Sequence, residues 1–370
     1  MTSTPVIPTA TGTRHPVITA WSAVSPFGIG KDAFTEGLRR RTATAGAVDP
    51  ALGAVPSDTA CTVPGFDVRA VLGRKGTRSM DRVTGLAVTT VGRLLEADER
   101  NRAVGTGERA ALVLGTTTGS AQSMMDFTRD SLTGERPFFV DPARFPNTVM
   151  NCAAGQSAIW YRLQGPNATI AGGRSAGLHA LNYARRLLAA GRAQTVLCGA
   201  AEEFSPARAW LERHSGDGGR APELGEGCAM LLVEPAGGEG QPVLADILAV
   251  ESGVNLDGRT EDTLTACLRR GLRRAGVTPS AVVAVARSGA PGAEGEAERA
   301  AVQAVFADAD PVDLAPVELI GDTGAAAAAF QTVALLAHAE EHPASGPGRV
   351  GVLTSVDRTG SVGCAVLGLR

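Results

Sequence analysis

Two stretches of this chain end alike. "GEGCAMLLVEP" (225–235) and "SVGCAVLGLR" (361–370) each run Gly-Cys-Ala into an apolar, strand-like segment. Upstream of each lies another apolar run, "TVLCGAAEEF" (195–204) and "VGVLTSVD" (350–357). Further upstream, each half carries a strand, a glycine turn and an alanine-rich helix: "ATIAGGRSAGLHALNYARRLLAAG" (168–191) and "VELIGDTGAAAAAFQTVALLAH" (317–338). In the first of these helices Leu178, Leu181, Leu187 and Leu188 follow helical spacing. Each half also opens on a strand, over 17–25 and 243–252, and the Gly-rich "AGGEGQ" (236–241) reads as the join. This repetition predicts two copies of one α/β unit, over 14–235 and 242–370. Mixed strands and helices in that order need helices on both faces of the sheets. Helices of Ala and Gly pack closely enough to sit between two sheets, so five layers are expected.

A chain of 370 residues is long enough for such a double unit. Its net charge of −3 provides no basic footprint for nucleic acid. No apolar run reaches the roughly 18 residues of a membrane span. The longest, 325–337, is interrupted by Gln331 and Thr332. Residues 1–13 read as a flexible leader rather than a signal peptide, and a cytoplasmic protein is expected. The cysteines at 61, 152, 198, 228, 267 and 364 have no metal-ligand spacing. Cys198, Cys228 and Cys364 lie in apolar runs, as small buried thiols do. No metal, cofactor or disulfide framework is predicted. Basic residues are 33 Arg against 2 Lys, the bias of a GC-rich coding sequence.

The turn in "IAGGRSAGLHAL" (170–181) joins a strand to a helix. Such a turn suits a nucleophile, because the helix N-terminus stabilises developing negative charge. Here it carries Arg174, a permanent cation that cannot attack.

Over nearly its full length the chain resembles the β-ketoacyl synthases, condensing enzymes of the thiolase fold. The resemblance rests on "VITAWSAVSPFGIG" (17–30), "VLGTTTGS" (113–120), "RFPNTVMNCAAGQSAIWYRLQGPNATI" (144–170) and "LGEGCAMLLVE" (224–234), in the family's order. It implies a duplicated α/β unit in a five-layered αβαβα arrangement. It also implies an acylated cysteine where this chain has Arg174. A first catalytic histidine would fall on Arg287 or Ser288 in "ARSGAPGAE" (286–294), a lysine on Val317, and a second histidine on Asp322. All four positions are lost. Decarboxylation needs donors that hold a developing oxyanion, and an aspartate at the second histidine's place repels it.

The family includes a non-condensing member, the chain length factor of type II polyketide synthases, part of bacterial secondary metabolism. It forms a heterodimer with a catalytic ketosynthase and shapes the tunnel that receives the growing chain, while acyl carrier protein serves mainly the partner. The resemblance points to that role, without cofactor, metal, nucleic acid or membrane. It also places chain-gating residues on "AQSMMDFTRDSL" (121–132), where Ala121, Met124 and Thr128 fall on one helical face. These either line the tunnel or pack a core or dimer face. Ala and Thr would leave room for an extended or reduced polyene chain, and Met deforms readily. Phe138 and Phe139 either line or cap the tunnel or pack an ordinary interface. Arg174 is expected to pair with Asp322 and plug the pocket; the alternative sends it to solvent or to backbone carbonyls.

Two rival readings follow from the residues. "GRSAG" (173–177) matches the Gly-x-Ser-x-Gly elbow of hydrolases, with Ser175 as nucleophile, His338 or His342 as base and Asp313 as the orienting acid. The other is a condensing enzyme using Cys152 or Cys198. Both cysteines read as apolar, away from a helix N-terminus, and so as poor nucleophiles.

Overall fold

The computed structural model describes residues 15–215, 222–238, 240–343 and 349–370. The leader expected over 1–13 lies outside the described residues.

The first half contributes the strands Val17–Ser25, Ala110–Thr116, Asn167–Ala171, Thr195–Glu202 and Gly227–Glu234. They lie side by side in the order third, second, fourth, fifth, first. The second half contributes Ala245–Val254, Val282–Ala286, Val312–Leu314, Arg349–Val356 and Ser361–Leu369, laid out in the same order. In both halves the third, second and fourth strands are parallel, and the fifth runs antiparallel to its neighbours. The two first strands meet through only two residue pairs, Val17 with Asp246 and Ile18 with Ala245.

Two helices fill the space between the halves, Ala176–Ala189 and Ala327–Glu341. The second is buried nearly all round, as its run of alanine with Phe330, Val333, Leu335 and Leu336 requires. One apolar core joins both helices to Ile18, Val113 and Val196 of the first half and to Ile247, Leu353 and Leu367 of the second. Arg82–Glu96 and Cys152–Tyr161 cover the outer face of the first half, and Thr260–Ala275 and Gly292–Phe306 that of the second. The result is the five-layered αβαβα arrangement.

One expected element changes. "VELI" is not a strand but a helical turn, Val317–Ile320, and the third strand of the second half lies earlier, at Val312–Leu314. Pro316 caps that turn with φ −54°, a value already suited to helix. The central layer also needs small residues. A Cβ on Gly177 would lie 3.1 Å from the Ala329 backbone nitrogen and 3.2 Å from the Ala325 carbonyl oxygen. Gly177→Leu should therefore force the central helices apart and lower stability by about 1–3 kcal/mol, read as a fall in melting temperature.

Candidate functional site

The strand Asn167–Ala171 leads through Gly172 into the tight turn Gly173–Ser175 and the helix Ala176–Ala189. Gly173 has φ +53°, and a Cβ there would lie 2.2 Å from a carboxylate oxygen of Asp357, so only glycine fits. The close approach lets the Arg174 backbone N–H donate to Asp357 Oδ2 at 2.8 Å. Burial raises the pKa of the Asp357 carboxyl. The Thr359 hydroxyl and amide, the Arg174 amide and the Arg174 charge outweigh it and hold the group below the usual carboxylate range.

The second half repeats the device: the turn Gly324–Ala326 enters Ala327–Glu341 and packs against the first turn. Just before it stands Asp322. Arg174 Nη2 donates to Asp322 Oδ2, and the two side chains are 12% and 4% exposed. The ion pair expected from the sequence forms, and it is nearly buried. Asp322 Oδ1 accepts from the Gly324 N–H at 2.9 Å, and the Asp322 carbonyl accepts from buried Arg208 at 2.8 Å. The carboxylate is therefore fixed from its own backbone as well as from Arg174.

Ser288, Val317 and Asp322 line one enclosed space with Arg287, Phe330 and Gln331, of only about 10 Å³. A single water needs roughly that much, so no acyl or malonyl group enters. Arg287 is held by Asp313 at 2.6–3.0 Å, and Ser288 and Gly289 donate backbone N–H groups to buried Glu298. Gly289 has φ +61°, and a Cβ on it would meet Val317 Cγ1 at 2.1 Å. Outside this space a cleft of about 380 Å³, lined by Thr117, Gly173, Gly324 and Asp357 among others, ends on Arg174 and Asp322.

Neither rival constellation assembles. Ser175 is fully buried, with its Oγ 3.0 Å from Ser355 Oγ. His338 and His342 lie against each other with tilted rings 4.4 Å apart and border a different groove, while Asp313 is bound to Arg287. The hydrolase reading is therefore wrong: the elbow motif was a coincidence of a Gly-rich turn. Cys198 is fully buried in a strand, and burial pushes its thiol far up. Cys152 departs from expectation, since it is the first residue of the helix Cys152–Tyr161. Even so its thiol is pushed up to about 11, first by burial and then by the Asp81 charge. The helix N-terminus does not make it a nucleophile.

The helix carrying Ala121, Met124 and Thr128 spans Ala121–Thr133. Ala121 is buried; Met124 and Thr128 are exposed on this chain. Phe138 and Phe139 are 67% and 56% exposed and pack edge to face at 5.1 Å, with Arg136 over both rings. Phe145, Met150 and Ile159 add further exposed apolar surface, and the helix Cys152–Tyr161 that carries Ile159 packs on the outermost strand Asn167–Ala171. An apolar surface of this kind marks an interaction face, and an unpaired strand edge invites a second chain.

The sequence reading missed Glu203, although two acids directly after the apolar run "TVLCGAA" signalled a buried carboxylate with work to do. Glu203 accepts from the Val83 N–H at 3.2 Å and the Ser120 hydroxyl at 3.0 Å. Burial, then the nearby Asp81 charge, pushes it up to about 8. Glu226 is likewise buried and bound by Arg82.

The beta-ketoacyl synthase N-terminal domain model matches residues 14–237, more than half of the chain. This chain belongs to the β-ketoacyl synthase family. Among solved structures it is similar to the ishigamide ketosynthase/chain length factor, with 49% identity and a TM-score of 0.91, over 96% of this chain and 99% of that one. It is also similar to a structure of a type II polyketide synthase acyl-carrier protein in complex with its ketosynthase. There the TM-score is 0.80 over 96% of this chain and 100% of that one, at 18% identity, a likeness of fold. The 3-oxoacyl-[acyl-carrier-protein] synthase 2 of Rhizobium meliloti is 24% identical over 87% of this chain and 86% of its own length.

Two measurements probe this site. Arg174→Ala should cost about 3–5 kcal/mol in denaturant unfolding, because it strands the buried Asp322 charge. Adding Asp322→Leu should recover most of that loss, and equal losses in single and double variants would contradict the pairing. The second concerns pH. Folded Glu203 keeps a proton up to about pH 8 that the unfolded chain releases near its ordinary 4.5. Its contribution to stability is thus present at low pH and lost as pH rises through that window. Glu203→Gln should flatten the fall in melting temperature between about pH 5 and 8.5.

Proposed function

We propose that this chain is a chain length factor: a non-condensing subunit that pairs with a catalytic ketosynthase and shapes the tunnel in which a polyketide chain grows. One observation carries the reading. Where the family's nucleophile stands, the chain has a cation held by a buried carboxylate. The relative at 49% identity is a ketosynthase/chain length factor, a name that covers two kinds of subunit. Arg174 and Asp322, with Ser288 and Val317 at the remaining catalytic positions, favour the chain length factor. Acyl transfer would need a thiolate and a donor for the developing oxyanion. Arg174 supplies no nucleophile, and Asp322 opposes the oxyanion.

The exposed apolar side chains around Met124, Phe138 and Met150 and the free edge at Asn167–Ala171 suit a large, obligate interface. On this reading Ala121, Met124, Thr128, Phe138 and Phe139 meet the tunnel or its rim once the ketosynthase docks. Small or deformable residues at 121, 124 and 128 leave room for an extended or reduced polyene chain. Acyl carrier protein delivers units mainly to the ketosynthase, and the complex works in the cytoplasm. Among the described residues no helix is long and apolar enough to cross a membrane.

Co-expression with a catalytic ketosynthase of a type II polyketide synthase tests the proposal. The two chains should co-purify, and the product mass should follow this chain when it is exchanged. Alone, this chain should neither take up an acyl group nor release CO₂ from malonyl carrier protein. Arg174→Cys should not confer either activity, because Ser288 and Asp322 supply no imidazole. Ala121→Phe or Thr128→Phe should shorten the product of the complex, read by mass spectrometry.

A further inference from the structure

The helix Ala121–Thr133 has one buried residue, Ala121, in thirteen. Along its length it packs only on the peripheral segments Pro142–Thr148 and Pro206–Ser215, so its tie to the buried core is made at its first turn. That turn is built on a chain of hydrogen bonds. Ser120 caps the helix by accepting from the Ser123 N–H at 3.1 Å, and its hydroxyl reaches Glu203 Oε1 at 3.0 Å. The Gln122 N–H points to the same oxygen at 3.4 Å. The other oxygen, Oε2, accepts from Val83 in the first turn of Arg82–Glu96. Asp81, which caps that second helix through Thr84, accepts from the Ser123 hydroxyl at 3.4 Å. The second helix is firmly seated: twelve of its fifteen residues are buried, against the strands Val17–Ser25 and Gly227–Glu234. Glu203 itself is wholly buried, and its carbonyl is held by Arg208 at 2.9 Å.

We propose that Glu203 is a positioning residue for chain length: its carboxyl ties the weakly packed helix Ala121–Thr133 to the rigid helix Arg82–Glu96. The proposal rests on the reading that Ala121, Met124 and Thr128 meet the tunnel. Thr128 lies about 10 Å along the axis from Ala121. A tilt of about 6° at the first turn therefore moves Thr128 by about 1 Å, which approaches one carbon–carbon bond of a growing chain. Loss of the tie should blur the stopping point rather than block the tunnel.

The test uses the assembled complex with its ketosynthase. Glu203→Ala should raise the ratio of off-length to main product by about fivefold, the size of a modest coupling. Condensation rate per complex should change far less than that ratio. Glu203→Gln keeps a hydrogen-bonding group on both sides and should restore the main product. Ala121→Phe runs alongside as a probe of the tunnel itself. A shifted product in Ala121→Phe with an unchanged distribution in Glu203→Ala overturns the assignment of Glu203 alone. Unchanged product in Ala121→Phe overturns the tunnel reading and this proposal with it. Should Glu203→Ala fail to assemble, Glu203→Leu decides, since it fills the space but accepts from neither Val83 nor Ser120 and leaves the Ser120 cap intact. A broadened distribution supports the tie, and an unchanged one overturns it.

Discussion

Two small-residue helices share the space between the two halves, and the rest of the molecule depends on how closely they pack. Because Gly177 comes within van der Waals contact of the backbone around Ala325 and Ala329, the turns that precede the two helices lie face to face. That apposition brings Arg174 of one turn against Asp322 beside the other, although they are 148 residues apart in the chain. A looser central layer would open the pocket and leave two charges without partners. The closeness is possible only because the helices carry Ala and Gly where larger side chains would hold them apart.

A buried ion pair is an expensive way to fill a pocket. Well-packed apolar side chains would often be at least as stable. Its effect here is chemical as much as energetic. The pair neutralises a place where backbone donors and the turns leading into two helices converge. Asp357, held charged by Thr359 and Arg174, fixes the turn from the other side. The family scaffold is kept, and on the proposed reading what this chain contributes is surface and shape.

That surface belongs to the first half, where Met124, Phe138, Phe139 and Met150 are exposed and Asn167–Ala171 leaves an open strand edge. The helix there is anchored to the core at its first turn and only half-covered along its length, where Phe127 packs on Phe145. Glu203 and Asp81 crowd two carboxyls into that anchored end. Burial of this kind is costly, and a site that tolerates it is one where position matters more than stability.

Much of this was legible in the chain itself. The repeated Gly-Cys-Ala strand endings foretold the repeated strand order, because both halves spend their apolar residues in the same sequence. Arg174 and Asp322 announced a site without a nucleophile, since a residue's chemistry is fixed by its type. The short turn Val317–Ile320 reads as a strand in the sequence, because four residues, three of them apolar, are too few to show a period, and Pro316 tips them into helix. The helix start at Cys152 was hidden by an apolar run of the same ambiguity. Which pocket was closed, and how tightly, was decided by tertiary structure alone. So was the role of Glu203, whose partners Val83 and Ser120 are distant in sequence. Sequence determines what each side chain can do; only the packing of distant segments decides which of them meet, and how much water stays between them.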